Sequence, residues 1–412
     1  KPPTKEAEGA EKTAADLLSE LKDVKATLKP ALIEQGKIGG DTGFKTKAAL
    51  VADLKQKMEE VKEAEKGEPP AKPPTKEAEP AKKPSRIATW FSGIGTVEAA
   101  LKDVIGVHFA EKDPRTAKEY VRIHDAEGDP RDVLKIDPQE VKDANPDLFH
   151  ASPECKTFSA ARGKIPKKPK EIDVKAAKKI AEVIEVANPP VFTFENVPQY
   201  MTGKAGKPLF NIIIDAIKEG YNYDADIYDA ADYGAAQSRK RLIIRAVRKD
   251  VGELPTKPEK TGPADWYQTL KDLIDAEVSR PGSKEWKAKG DETNKELQNL
   301  EKMVEAGKLD GSKPIITMGG SAGKTVANAR SAGSKELPVP SPTLAASNQV
   351  ARIILPTKTK GGKLLPVGKR QVVRLTPKMM VRLMGLPDNF KVSGSYYEAR
   401  RGLGNGIHGA IT

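Results

Sequence analysis

From Arg86 onward the chain alternates short apolar runs with segments of helical apolar spacing, and this rhythm limits the possible folds more than any other feature. Ile87–Phe91, Val107–Ala110, Leu148–Ala151, Val191–Phe194 and Leu242–Ala246 have the length and composition of buried strands. Between them, Val97–Val104, Lys175–Ala187 and Leu209–Glu219 gather apolar residues on one helical face. Such alternation predicts an α/β fold, a Rossmann-like and mostly parallel sheet with helices on both faces. Ligands bind such sheets at the carboxyl ends of the strands, so the residues just after each run carry the functional information.

Beyond residue 250 the rhythm breaks up. Residues 319–349 are rich in Gly, Ala and Ser, and Arg352–Leu355 and Leu364–Val373 read as hairpin strands around Lys360-Gly361-Gly362-Lys363. The expected layout is a core over 86–247, a small, mostly irregular domain over 248–374, and a return to the core over 375–412. Upstream, the octet Lys-Pro-Pro-Thr-Lys-Glu-Ala-Glu stands at 1–8 and again at 72–79. Its surroundings hold too few large apolar side chains to offset chain entropy, so 1–13 and 67–85 read as flexible linkers. They bracket a helical module over 14–66, with Leu17, Leu18, Leu21, Val24 and Leu28 before a Gly39-Gly40-Asp41-Thr42-Gly43 turn and Leu50, Leu54, Met58 and Val61 after it. This helix, turn, helix pattern resembles a SAP-type DNA-binding motif; an amphipathic helix pair is the alternative.

Composition excludes several classes. One cysteine, Cys155, can form neither an internal disulfide nor, alone, a metal site, which leaves a buried thiol or a nucleophile. No run of 18 apolar residues is present, and nothing resembles a secretory leader, so neither a membrane span nor secretion is expected. The chain carries a net charge of +12, and residues 311–374 hold eleven basic residues against one acidic. So cationic a segment suits a polyanion, most commonly nucleic acid.

Strand Ile87–Phe91 runs into Ser92-Gly93-Ile94-Gly95-Thr96, where glycines let backbone approach an adenosyl ligand. It is not a dinucleotide fingerprint, because Glu98 stands where the third glycine belongs. Glu111 follows the second strand, Ser152-Pro153-Glu154-Cys155 the third, and Glu195-Asn196-Val197-Pro198 the fourth. Each alone has an ordinary structural explanation. Gly319-Gly320-Ser321-Ala322-Gly323-Lys324-Thr325 looks like a phosphate loop but is one residue short of that pattern.

Taken in order, these segments, with Asp132, Gln237-Ser-Arg-Lys-Arg241, Arg374-Leu-Thr-Pro-Lys378, Leu383-Met-Gly-Leu-Pro-Asp388 and Gly404-Asn-Gly406, resemble the cytosine-5 DNA methyltransferase family. The resemblance runs from about Ile87 to the end and implies a class I methyltransferase fold, with 248–374 as target recognition domain. It implies that Phe91, Ser92, Gly93, Ile94, Gly95 and Thr96 line an S-adenosylmethionine site. Glu111 would hold the ribose hydroxyls, Asp132 the adenine amino group, and Asn405 would help close the pocket. Cys155 would add to carbon 6 of cytosine, Glu195 would hydrogen-bond or protonate ring nitrogen 3, and Arg239 and Arg241 would steady the cytosine oxygen and the catalytic loop. Ser159, Gln237, Lys324, Arg330, Thr343, Lys360 and Lys363 would contact double-stranded DNA. No metal is implied, the enzyme is expected to act as a monomer, and a prokaryotic or viral member would work in the cytoplasm beside the nucleoid, often within restriction-modification.

The chemistry asks for these residue types. Carbon 5 of cytosine is a poor nucleophile until a thiolate adds at carbon 6, and a nearby acid must neutralise the charge that builds on nitrogen 3. Two departures from the family stand out. Glu154 occupies the place of the usual proline before the nucleophile and is expected to oppose thiolate formation unless Lys156 or Arg239 compensates. The chain also closes at Thr412, where the family continues through a helix, and opens on Lys1, so a longer native chain is expected. An RNA substrate and a decayed, DNA-binding relative remain open alternatives.

Overall fold

The computed structural model describes residues 85–411 except 102, 129, 156, 159–165, 167, 281–290, 319–328, 335, 345–349 and 394. The helical module, both linkers and the phosphate-loop lookalike lie outside the described residues.

Six strands form the main sheet: β1 (Arg86–Trp90), β2 (Ile105–Ala110), β3 (Leu148–Ala151), β4 (Val191–Asn196), β5 (Tyr221–Asp229) and β6 (Lys240–Arg248), in the order β2-β1-β3-β4-β6-β5. The first four run parallel, whereas β6 is antiparallel to β4 and to the edge strand β5. The sequence reading assigned no strand to 221–229, because Tyr-Asn-Tyr-Asp-Ala-Asp-Ile-Tyr-Asp alternates as a half-exposed edge strand does. Helices α1 (Thr96–Ala100), α2 (Pro114–His124), α3 (Pro138–Asp143), α4 (Glu171–Ala187), α5 (Gln199–Thr202) and α6 (Lys207–Ile217) fill the connections. α1 is shorter than its apolar spacing predicts, ending where Leu101 turns extended.

Local chemistry sets these boundaries. Asp113 caps α2 by accepting the Thr116 N–H at 2.9 Å, with Pro114 at the first helical position. In α4, Ala177, Ile180, Val183 and Ile184 face the sheet, and Asn188 stops the helix in a left-handed conformation. The core beneath holds Trp90, Phe149, Phe192 and Phe194 at 0% exposure. Each such burial contributes roughly 1.5–3 kcal/mol.

Later, α7 (Trp266–Ser279) and α8 (Asp291–Glu305) precede an antiparallel four-stranded sheet, β10-β9-β7-β8, built from β7 (Ile315–Thr317), β8 (Ala329–Ser331), β9 (Arg352–Ile354) and β10 (Val372–Arg374). The expected hairpin exists, but its second strand is Val372–Arg374 rather than 364–373. Pro366 offers no ladder donor and starts a 3-10 turn over Val367–Lys369 instead. α9 (Pro377–Leu383) and α10 (Tyr396–Asn405) return to the main sheet. Ile94 and Ala236 pack in one cluster with Trp266, Ile353, Met379 and Leu403, so this second sheet shares its core with the first.

Candidate active site

Four strand ends stand in one row. Trp90 pairs with Ala110 on one side and Ala151 on the other, and Ala151 pairs with Phe194. Phe91, Glu111, Ser152 and Glu195, the next residues of the four strands, therefore emerge along a single edge. From β1 the chain crosses first to β2 and then to β3 on its other side, the switch point at which such sheets open a crevice. With strands spaced about 4.8 Å apart, the row from β2 to β4 covers roughly 14 Å. A cavity of about 340 Å³ lies along it.

Toward β2 the cavity is walled by Phe91, Gly93, Glu111, Asp132, Val133 and Leu134. Phe91 and Gly93 both have φ 58, so the chain turns sharply as it leaves β1. Glu111 steadies that turn: Oε2 accepts the Gly93 N–H at 3.1 Å and Oε1 the Asp113 N–H at 2.8 Å. Burial pushes its carboxyl above the ordinary range, and those N–H groups hold back part of the rise. Asp132 accepts the Leu134 N–H at 3.2 Å and pairs with Lys112 at 3.1 Å. Asn405, the last residue of α10, faces the same cavity. A Cβ placed on Gly93 would meet nothing within 4 Å, so the loop leaves open space beside an apolar wall and two carboxylates. That combination fits an adenosyl group, whose ring needs apolar walls and whose hydroxyls donate to carboxylates.

Toward β4 stands the thiol. Cys155 is half-buried on a loop that turns at once, the Phe158 N–H donating to the Cys155 carbonyl at 2.9 Å. Phe158 is buried edge-on against Tyr200 at 5.2 Å. Asn196 ties this loop to β4: its amide nitrogen donates to the Pro153 carbonyl at 3.0 Å, and its oxygen accepts the Val197 N–H at 2.9 Å. Glu195 is buried, with Oε1 2.7 Å from Nε of Arg241. Burial pushes the Cys155 thiol up, Glu195 adds to the push, and Arg241 and Arg239 oppose it. Burial likewise pushes Glu195 up, the two arginines recovering part of the cost. The site thus pairs a reluctant thiol with a carboxyl that keeps its proton to higher pH. Glu195 is a carboxylate that pushes the thiol up; Glu154, which the sequence also points to, is exposed.

A family model for C-5 cytosine-specific DNA methylases matches residues 86–410. The chain belongs to that family. The Type II methyltransferase M.NgoBI of Neisseria gonorrhoeae is 23% identical over 328 residues, 77% of this chain and 87% of that protein. The Type II methyltransferase M.BsuRI of Bacillus subtilis is 40% identical over 101 residues, and the orphan methyltransferase M.SPRI of Bacillus phage SPR 30% identical over 173. Those matches span only 23% and 38% of the two relatives' lengths. The crystal structure of a putative DNA modification methyltransferase encoded within an E. coli prophage superposes with a TM-score of 0.54 at 17% identity, covering 79% of this chain and 96% of that one. Entamoeba histolytica methyltransferase EhMeth gives 0.53 at 15%, covering 80% and 96%. At these identities the two structures speak for the fold alone.

As a C-5 methylase relative, the chain brings Phe91, Gly93, Glu111, Asp132, Cys155, Glu195, Arg241 and Asn405 to one cavity. Other expected residues stand elsewhere. The Ser92 hydroxyl donates to the Thr89 carbonyl at 2.8 Å, inside the loop. Ile94 is buried in the second core, and the Thr96 hydroxyl accepts the Ile407 N–H at 3.0 Å. Gly95, with φ 76, packs against His124.

Arg239 is a correction. Its guanidinium is buried and donates to the carbonyls of Leu344 at 3.0 Å, Gly404 at 3.0 Å and Gly406 at 2.6 Å, so it clasps two other chain segments and does not line the cavity. Two expected DNA contacts are corrected as well. Gln237 is 0% exposed, and Thr343 spends its hydroxyl on the Ser238 carbonyl at 2.6 Å. Arg330, Lys360 and Lys363 are exposed, whereas Ser159 and Lys324 lie outside the described residues. The sequence reading missed Lys112, Asp173 and Arg401 at the cavity, and Asn196 behind it. Only adjacency could have flagged any of them: Asn196 follows Glu195 and Lys112 follows Glu111.

Proposed function

We propose that this chain transfers a methyl group from S-adenosylmethionine to carbon 5 of a cytosine flipped out of duplex DNA, through a covalent adduct on Cys155. The observation that carries the reading is one cavity with a nucleoside-like cradle at Glu111 and Asp132 and, at its other end, a thiol beside a buried carboxyl. Glu111 would hold ribose hydroxyls, Asp132 the adenine edge, and Gly93 and Asn405 would border the same group. When bound, S-adenosylmethionine supplies an electrophilic methyl. Cys155 adds to carbon 6, which makes carbon 5 nucleophilic. Glu195, whose carboxyl burial pushes up, hydrogen-bonds or protonates nitrogen 3, and Arg241 holds that carboxyl in place.

A stacked base cannot reach the thiol. Extruding it costs a few kcal/mol, which phosphate contacts from the basic 311–374 region offset. We therefore assign target reading to residues 248–374, with Arg330, Lys360 and Lys363 on phosphates. Cys155→Ser should abolish methyl incorporation, and duplex DNA carrying 5-fluorocytosine should trap a covalent complex with the unsubstituted protein. Transfer by the serine variant overturns the reading. Bisulfite mapping of DNA from expressing cells gives the target context. Glu154 beside the nucleophile favours a second reading, a DNA-binding relative of impaired turnover, which tight, salt-sensitive binding without incorporation would select.

A further inference from the structure

Taking a cation out of water is costly, so a buried one persists only where its partners are well placed. Arg239 is 1% exposed, and its stem is fixed before the guanidinium begins. Its backbone N–H donates to Oδ1 of Asp229 at 2.8 Å, and its carbonyl accepts the Ala230 N–H at 3.2 Å. From that base the side chain reaches the end of α10, where the last carbonyls lack partners within the helix. Nη2 donates to the Gly404 carbonyl at 3.0 Å and to the Gly406 carbonyl at 2.6 Å, one on each side of Asn405. Nη1 is left for Leu344 at 3.0 Å. Lysine in this place would offer one nitrogen where the fork offers two.

The same segment is held from its other side. The Thr96 hydroxyl accepts the Ile407 N–H at 3.0 Å, and a Cβ on Gly406 would stand 2.5 Å from Thr96, so the chain here cannot shift toward α1. Between these two anchors Asn405 is exposed and borders the cavity, and its carboxamide has no hydrogen-bond partner among the described residues. Arg401, one turn earlier on α10, pairs with Asp113 at 3.1 Å, which places this face of the helix at the Glu111 end of the cavity. A free amide on a rigid, buried support is preorganised to take a ligand. We infer, on the cofactor site proposed above, that Arg239 is a positioning residue for the methyl donor, holding Asn405 where its carboxamide meets that ligand. It acts from behind the pocket and touches neither the donor nor the base, in contrast to the role at the cytosine oxygen that its motif suggests.

Binding of S-adenosylhomocysteine, the donor without its methyl group, followed by calorimetry, tests this without turnover. Asn405→Ala, a change on the exposed cavity face, should weaken binding about tenfold, the worth of one good hydrogen bond. Arg239→Lys should weaken it about fivefold, and in the Asn405→Ala background less than about twofold, because the residue through which it acts is gone. Arg239→Gln, which keeps two N–H donors, stands in if the lysine variant fails to fold. An undiminished loss in the Asn405→Ala background overturns the inference, since it marks a general loosening of the fold. Unchanged affinity in Asn405→Ala alone overturns it too, with no change made in the core. Unchanged affinity in Arg239→Lys, with weaker trapping on 5-fluorocytosine duplex, overturns it by returning Arg239 to the base. If the unsubstituted protein does not bind S-adenosylhomocysteine at all, the cofactor reading itself fails and takes this inference with it.

Discussion

The attack proposed for Cys155 needs its thiolate, yet burial and the Glu195 carboxyl both work against that charge. Because it is the chain's only cysteine, alkylation by iodoacetamide reports on it alone. Its folded value is raised, so the thiolate appears only as pH climbs past the ordinary thiol range, and alkylation of the native protein should follow. Glu195→Gln should move the alkylation midpoint to lower pH by removing the opposing charge, and Arg241→Gln should move it higher. Opposite shifts would show that the Glu195–Arg241 pair does not set the thiol's acidity. Cys155 and Glu195 were legible in sequence because each sits within a few residues of a strand end. Arg239 was not: two residues from Arg241 it should share a strand face, but β6 begins at Lys240, so no pleat governs the residue before it. Arg401 reaches the cavity only through tertiary packing, which no local pattern encodes.

The β1–α1 turn shows how tightly one element can be specified. A methyl on Gly95 would stand 1.9 Å from the His124 ring, on backbone with φ 76. Gly95→Ala should cost about 1–3 kcal/mol in urea denaturation. Gly95→Ala with His124→Ala should recover the clash but not the backbone strain, and an unchanged midpoint in the single variant would contradict this packing. Behind the turn, Glu98 accepts from the Thr89 hydroxyl at 2.6 Å and the Tyr120 hydroxyl at 2.9 Å, joining β1, α1 and α2. That is why a buried glutamate occupies the place of a fingerprint glycine. Parallel strands β1–β4 were readable as continuous apolar runs buried on both faces. The direction of β6 was not, because a short apolar run looks the same in either orientation.

Across the whole molecule, charge and connectivity divide the labour. Lys360 and Lys363 stand exposed on the loop between β9 and β10, within the stretch of net charge +10. Replacing both with alanine should lower the salt slope of duplex-DNA binding by about 2 while leaving S-adenosylmethionine affinity unchanged. An unaltered slope would move the phosphate contacts elsewhere. The Arg239 clasp has a consequence for recombining parts of such proteins. Leu344, one of its three acceptors, belongs by sequence to the stretch proposed above to read the target, so a graft that exchanges everything from 248 to 374 must rebuild a carbonyl for a buried guanidinium. A seam placed before Ser341 would keep Ser341, Thr343 and Leu344 with their native partners, and chimeras cut there should exchange the preceding stretch without losing the Arg239 clasp.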